Sequence, residues 1–146
     1  MIKKLFKKIF KSPDYISFKQ GMDLTELPVI TLYQKDKRFN FLLDTGSNDS
    51  IIDENILEQV EHELIDTKSN LFGLEGKKRE VSMCNITMWY KDTPYAFTYV
   101  IHNMKEPFDN IKKETGVTLH GLIGSKFFNE YKYVLDFAEL VAYSKK

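Results

Sequence analysis

Two periods run through this chain, and each marks a kind of element. Strict alternation of apolar and polar positions predicts strands with one face buried. Cys84, Ile86, Met88 and Tyr90 alternate in this way, and after a turn at Lys91-Asp92-Thr93-Pro94 the pattern resumes at Tyr95, Phe97, Tyr99 and Ile101. These positions predict two long paired strands. Residues 27–33 form another strand, with Pro28 near its start, where a missing N–H is tolerated. A charged turn over residues 34–38 returns the chain into Phe39 and the apolar run Phe41-Leu42-Leu43. A first short strand is expected around Tyr15, Ile16 and Phe18, and another at Ser50-Ile51-Ile52. Residues 70–82 read as a hairpin whose tip, Gly73-Leu74-Glu75-Gly76, carries two glycines and should be mobile.

Helical spacing is rarer. Asp53 is placed to cap a short helix bearing Ile56, Leu57 and Val60. Residues 107–115 predict a second helix, with Pro107 in its first turn, Phe108 and Ile111 on one side, and Gly116 as the stop. Residues 117–120 read as a strand running into Gly121-Leu122-Ile123-Gly124, after which Ser125 caps a short helix through Phe127, Phe128 and Tyr131. A last hairpin joins residues 133–137 to 140–143 across Ala138-Glu139. The expected architecture is mostly β, a closed, barrel-like sheet with two or three short helices.

One stretch concentrates the candidate chemistry. The apolar run of Phe41, Leu42 and Leu43 meets Asp44-Thr45-Gly46-Ser47, an acid and two hydroxyls around a glycine. A carboxylate at the end of a buried strand is costly unless something hydrogen-bonds it or shares its charge. A turn Asp satisfied by backbone N–H groups meets that need, and so does a catalytic carboxylate.

Composition narrows the classes. The 146 residues suffice for one domain with a real core, and 42% hydrophobic content is that of a globular protein. Lys plus Arg and Asp plus Glu both number 21, so no global charge calls for nucleic acid. The lone Cys84 has no partner for an internal disulfide, which is compatible with a reducing compartment and a cytoplasmic location. His62, His102 and His120 lack metal-ligand spacing, so neither a metal nor a cofactor is expected.

The stretch from Met1 to Lys11 stands apart. Lys3, Lys4, Lys7, Lys8 and Lys11 interleave with Ile2, Leu5, Phe6, Ile9 and Phe10, which at helical spacing sets an apolar stripe opposite a basic face. It is shorter than the roughly 18 residues of a spanning helix, and its lysines interrupt what a signal peptide would keep apolar. Three readings stand: a peripheral contact on the anionic inner membrane face, a helix packed on the domain, or a loose basic tail. Residues 1–14 are therefore set off as an arm and residues 15–146 as the domain.

An apolar strand ending in Asp-Thr-Gly-Ser, a glycine-tipped hairpin, and an apolar-apolar-Gly element before a helix together resemble the retropepsin-like aspartic peptidases. The matching pieces are Leu42-Leu43-Asp44-Thr45-Gly46-Ser47 and His120-Gly121-Leu122-Ile123-Gly124, with Phe127-Phe128 and Val134-Leu135-Asp136-Phe137 following. The resemblance spans roughly residues 27–143.

What the resemblance implies is specific. The fold would be the closed acid-protease barrel with a flap hairpin and a dimeric active site. Peptide hydrolysis would use two carboxylates sharing one proton. Asp44 is the sole Asp followed by Thr-Gly, since Asp109 and Asp136 lack that sequel, so the second carboxylate would come from a second copy in a symmetric homodimer. Thr45 would hydrogen-bond across the dimer axis, and Gly46 would let backbone approach substrate and partner. Ser47 and Asn48 would border the substrate, and the Ser47 hydroxyl would stabilise ionised Asp44 and favour an acidic optimum. Phe72, Gly73, Leu74, Glu75 and Gly76 would form the flap over an extended protein or peptide substrate. Leu122 and Ile123 would line its pockets or support the Asp44 loop. Where retroviral members lock the loop with an arginine and an acid, this chain carries Ser125 and Asn48, so that ion pair is expected to be absent. The helix over residues 107–116 is an insertion relative to the compact viral form. A non-cleaving peptide-binding module on the same fold is the alternative, and it would survive loss of Asp44.

Overall fold

The computed structural model describes residues 15–72 and 78–146. The basic arm and the hairpin tip expected at Gly73, Leu74, Glu75 and Gly76 lie outside the described residues. In chain order the elements are β1 (Ile16–Ser17), α1 (Lys19–Thr25), β2 (Val29–Gln34), β3 (Lys37–Leu43) and β4 (Ser50–Asp53). A 3-10 helix (Glu54–Gln59) follows, then β5 (Glu63–Phe72), β6 (Lys78–Tyr90), β7 (Thr93–His102) and α2 (Lys105–Thr115). The chain ends with β8 (Gly121–Ile123), α3 (Ser125–Glu130), β9 (Tyr133–Asp136) and β10 (Val141–Ser144).

Seven strands pair in the order β2-β3-β8-β4-β7-β6-β5, and Tyr33 of β2 pairs again with Trp89 of β6. That last pairing closes six of the strands into a barrel and leaves β5 outside, against β6. The protein is mostly β, as its alternation predicts. A separate three-stranded sheet runs β1-β10-β9.

Alternation explains which residues fill the barrel. Successive side chains on a strand point to opposite faces. Leu32, Phe39, Phe41, Ile52, Cys84, Ile86, Met88, Tyr99 and Ile123 belong to one core cluster, which continues to Phe127 under α3 and to Ala142 of β10. Their immediate neighbours Leu122, Ile51 and Val100 belong to a second cluster with Phe108 of α2 and Leu119. The α2 helix therefore covers a second apolar layer made by the outward faces of β4, β7 and β8. Burying Phe108 there is worth on the order of 2 kcal/mol.

Both long hairpins turn on the same dipeptide. Lys35-Asp36 joins β2 to β3 and Lys91-Asp92 joins β6 to β7, with Lys35 and Lys91 in the left-handed region at φ 55° and 53°. Each turn is tighter than the sequence suggests: the strands run into the charged residues, and Pro94 lies inside β7. Asp53 caps the 3-10 helix as expected, its Oδ1 accepting the Asn55 N–H at 3.2 Å. Gly116 ends α2 in the left-handed conformation, φ 80°.

One element is added and two expectations are corrected. Lys19–Thr25 is a helix that the pattern did not announce, because seven polar-rich residues around Gly21 carry no apolar stripe. Residues 117–120 are not a strand: Leu119 is buried, and His120 bonds Asn40 from an irregular segment, so ladder pairing begins only at Gly121. Ser125 is the first residue of α3 and not its cap. Gly124 occupies the cap position, and the Ser125 hydroxyl bonds elsewhere.

Candidate active site

Asp44 follows the last residue of β3, and its main chain is fixed before its side chain is considered. Its N–H donates to the Ile123 carbonyl at 2.8 Å, which continues the parallel pairing of β3 with β8 past Leu43 and Ile123. Its carbonyl accepts the Ser47 N–H at 3.2 Å and closes a turn through Thr45 and Gly46. The carboxylate is half-buried. Oδ1 accepts the Gly46 N–H at 3.0 Å, and Oδ2 has no bond among the described residues. One oxygen is held and the other is available.

The loop from Asp44 to Asp49 lies against the start of α3, held by main chain. Ser125 N–H donates to the Ser47 carbonyl at 2.7 Å, and Lys126 N–H donates to the Asn48 carbonyl at 3.0 Å. Ser125 Oγ donates to the Thr45 carbonyl at 2.9 Å. Gly124 N–H donates to Ser50 Oγ at 3.0 Å inside the protein. Gly124 must be glycine for reasons of space: a Cβ there would stand 2.4 Å from the Asp49 carbonyl oxygen and 2.7 Å from that of Ser47. Gly121 is equally confined, with the Ile51 carbonyl 2.5 Å from a Cβ position. Gly46 matters less for its turn than for its neighbour, because a Cβ would sit 3.2 Å from Asp44 Oδ1.

The residues expected at the site fall into three groups. Asp44, Thr45, Gly46, Ser47 and Asn48 share the loop, with Thr45, Gly46 and Asn48 exposed. The Thr45 hydroxyl has no partner among the described residues. Leu122 and Ile123 are buried, the latter completely, and the Ile123 carbonyl holds the Asp44 N–H. Phe72 ends β5, its backbone paired with Lys78, while Gly73, Leu74, Glu75 and Gly76 lie outside the described residues.

One expectation about charge is corrected. Ser47 Oγ donates to the Asp49 carbonyl at 2.7 Å and not to Asp44, whose Oδ1 accepts the Gly46 N–H instead. The loop does carry a different ion pair, one residue along from Ser125 and Asn48. Lys126 Nζ meets Asp49 Oδ1 at 2.6 Å, with the Asp49 side chain only 16% exposed. Both partners stand one residue beyond the positions considered, and this equal displacement was the signal available in the sequence.

The arrangement presents a half-exposed carboxylate at the end of β3, flanked by the exposed residues Thr45 and Gly46. Such a group can take a proton from water or share one with a second acid. No family model matches this chain, and no curated protein matches it in sequence.

Proposed function

We propose that this chain is a retropepsin-like aspartic endopeptidase acting as a homodimer, in which Asp44 from each copy forms the catalytic pair. The observation that carries the reading is the Asp44 loop, with its carboxylate anchored at one oxygen and free at the other, on a main chain fixed by β8 and α3. The Oδ1–Gly46 bond alone is that of an Asx turn, as at Asp136, so the reading is supported by this free second oxygen together with the Asp-Thr-Gly-Ser sequence that carries it.

The chemistry follows from placing two such carboxylates together. Two acids at contact distance cannot both ionise cheaply, so they hold one proton between them and titrate as a pair. The ionised member takes a proton from water as the water attacks the peptide carbonyl. The protonated member gives its proton to the carbonyl oxygen. No covalent intermediate is needed. The unpartnered Thr45 hydroxyl would bond across the two-fold axis and hold both loops, and Gly46 would leave room for the approaching chain. An extended substrate would have its backbone satisfied as an added strand.

The test compares the full chain with Asp44→Asn on a mixed peptide library from about pH 3.5 to about pH 7.5, with sedimentation to establish the oligomer. Cleavage between apolar residues by the wild type alone supports the reading. Equal cleavage by both proteins would remove Asp44 from the chemistry. A dimer that binds peptides without cutting them would establish the binding-module alternative instead.

A further inference from the structure

Along the outer face of β2 and β3, a cavity of about 550 Å³ opens between α1, the β2–β3 hairpin and the segment before β8. Arg38 and Asp44 lie six residues apart on an extended chain, roughly 20 Å. The volume falls within the range of small-molecule sites, roughly 300–1,000 Å³. Gly21 shapes one wall. A Cβ there would meet the Val29 carbonyl oxygen at 2.4 Å, so α1 lies directly on β2.

The lining has a definite chemistry. Leu24 and Tyr33 face the cavity although they are large apolar side chains left 54% and 37% exposed. Tyr90 and Val117 extend this surface. Arg38, opposite Tyr33 in the strand register, has no ion pair among the described residues. No carboxylate lines the cavity. His120 is a second donor: its Nδ1 accepts the Asn40 N–H at 2.9 Å, so the neutral ring carries its proton on Nε2. Asn40 is itself committed, accepting from Thr31 and donating to the Thr118 carbonyl, which sets the geometry of this corner.

From a guanidinium with no ion pair among the described residues, the second donor and the exposed apolar wall in one cavity, we infer that this is a binding site for a small carboxylate bearing an aromatic or branched apolar group. The guanidinium receives the carboxylate in a charge-assisted pair, and Nε2–H of His120 supplies a further bond. The apolar group covers Leu24 and Tyr33. The site rests on β3 and on the approach to β8, the two strands that carry the Asp44 loop, and it does not depend on what Asp44 does.

The experiment titrates the isotopically labelled full chain with phenylacetate and follows the Arg38 side-chain, His120 ring and Leu24 methyl signals by NMR. Saturable shifts at all three are expected. Arg38→Gln should weaken binding at least tenfold, and the uncharged phenylacetamide should bind the wild type correspondingly weakly. Asp44→Asn should bind phenylacetate as the wild type does. Absence of saturable shifts, or equal binding by Arg38→Gln, would overturn the inference. Inorganic phosphate moving the same signals with equal affinity would also overturn it, since the apolar wall would then contribute nothing.

Discussion

The Lys126 ammonium lies 2.6 Å from the Asp49 carboxylate and ties the first turn of α3 to the loop that carries Asp44. The lysine is largely exposed, but the acid is not, so removing the lysine strands a mostly buried charge. Lys126→Met is expected to destabilise the protein by about 1 kcal/mol, the upper end for a pair with one exposed partner. The difference should shrink at about 1 M salt, where screening acts within a few ångströms. Denaturant midpoints at low and high salt check this; identical midpoints for variant and wild type would mean that the pair contributes nothing.

Gly124→Ala drives a methyl group into the Asp49 and Ser47 carbonyls, so the loop itself must move. The expected loss of stability is about 1–3 kcal/mol. On the proposed function, peptide hydrolysis should fall roughly a hundredfold, as it does when reacting groups are displaced by about 1 Å. Gly116→Ala is the control. It strains a left-handed residue in open space and should cost about 1–2 kcal/mol with turnover unchanged. Equal turnover losses in both variants would disconnect Gly124 from the site.

Ile123 is fully buried, and its carbonyl holds the Asp44 N–H. Ile123→Ala keeps that carbonyl and opens a cavity in the barrel, at a cost of about 2–5 kcal/mol. Equilibrium unfolding measures this directly, and a loss below about 1 kcal/mol would place the residue outside the tightly packed core.

Burial pushes the His120 imidazole below its usual range, and the Asp53 charge offsets part of the shift. The folded protein thus holds the ring neutral at pH values where the unfolded chain, with a pKa of about 6.5, takes up a proton. Stability contributed by this group is complete above that value and is lost as pH falls from there toward the folded pKa. His120→Gln should flatten the dependence of unfolding free energy on pH between about 7 and 5. Parallel slopes for the two proteins would show that the ring titrates alike folded and unfolded.

Burial also pushes the Cys84 thiol up to about 11. The thiolate is the reactive form, so the native protein should react with a thiol reagent at about pH 8 at least about a hundredfold more slowly than the unfolded one. Rapid labelling without unfolding would contradict the burial of this strand.

Sequence made some of this molecule legible and hid the rest for physical reasons. Alternation located β6 and β7, because each strand has one face in the barrel. The run into Asp44 was readable because an acid cannot end a buried strand without consequence. Strand partners were not readable: nothing local states that β3 runs parallel to β8, or that β4 lies between β8 and β7, since those pairings join segments far apart in sequence. The α1 helix was hidden because its contact with β2 depends on the missing side chain of Gly21 more than on any apolar stripe. The turn at Asp44 was readable from Gly46 and the apolar run before it, whereas the Lys126–Asp49 pair was not, since it joins residues far apart in the chain. The cavity at Arg38 and His120 was out of reach, as it gathers residues from four separate segments.

The Tyr33–Trp89 pairing that closes the barrel has a practical consequence. Trp89 is the one tryptophan in the chain. Its emission therefore reports the seam between β2 and β6 with no competing indole. A red shift that precedes the loss of circular dichroism would show the barrel opening along this seam before it melts, and coincident curves would show closure and folding to be a single event. The molecule carries an intrinsic optical gauge at the joint where its sheet becomes a cylinder.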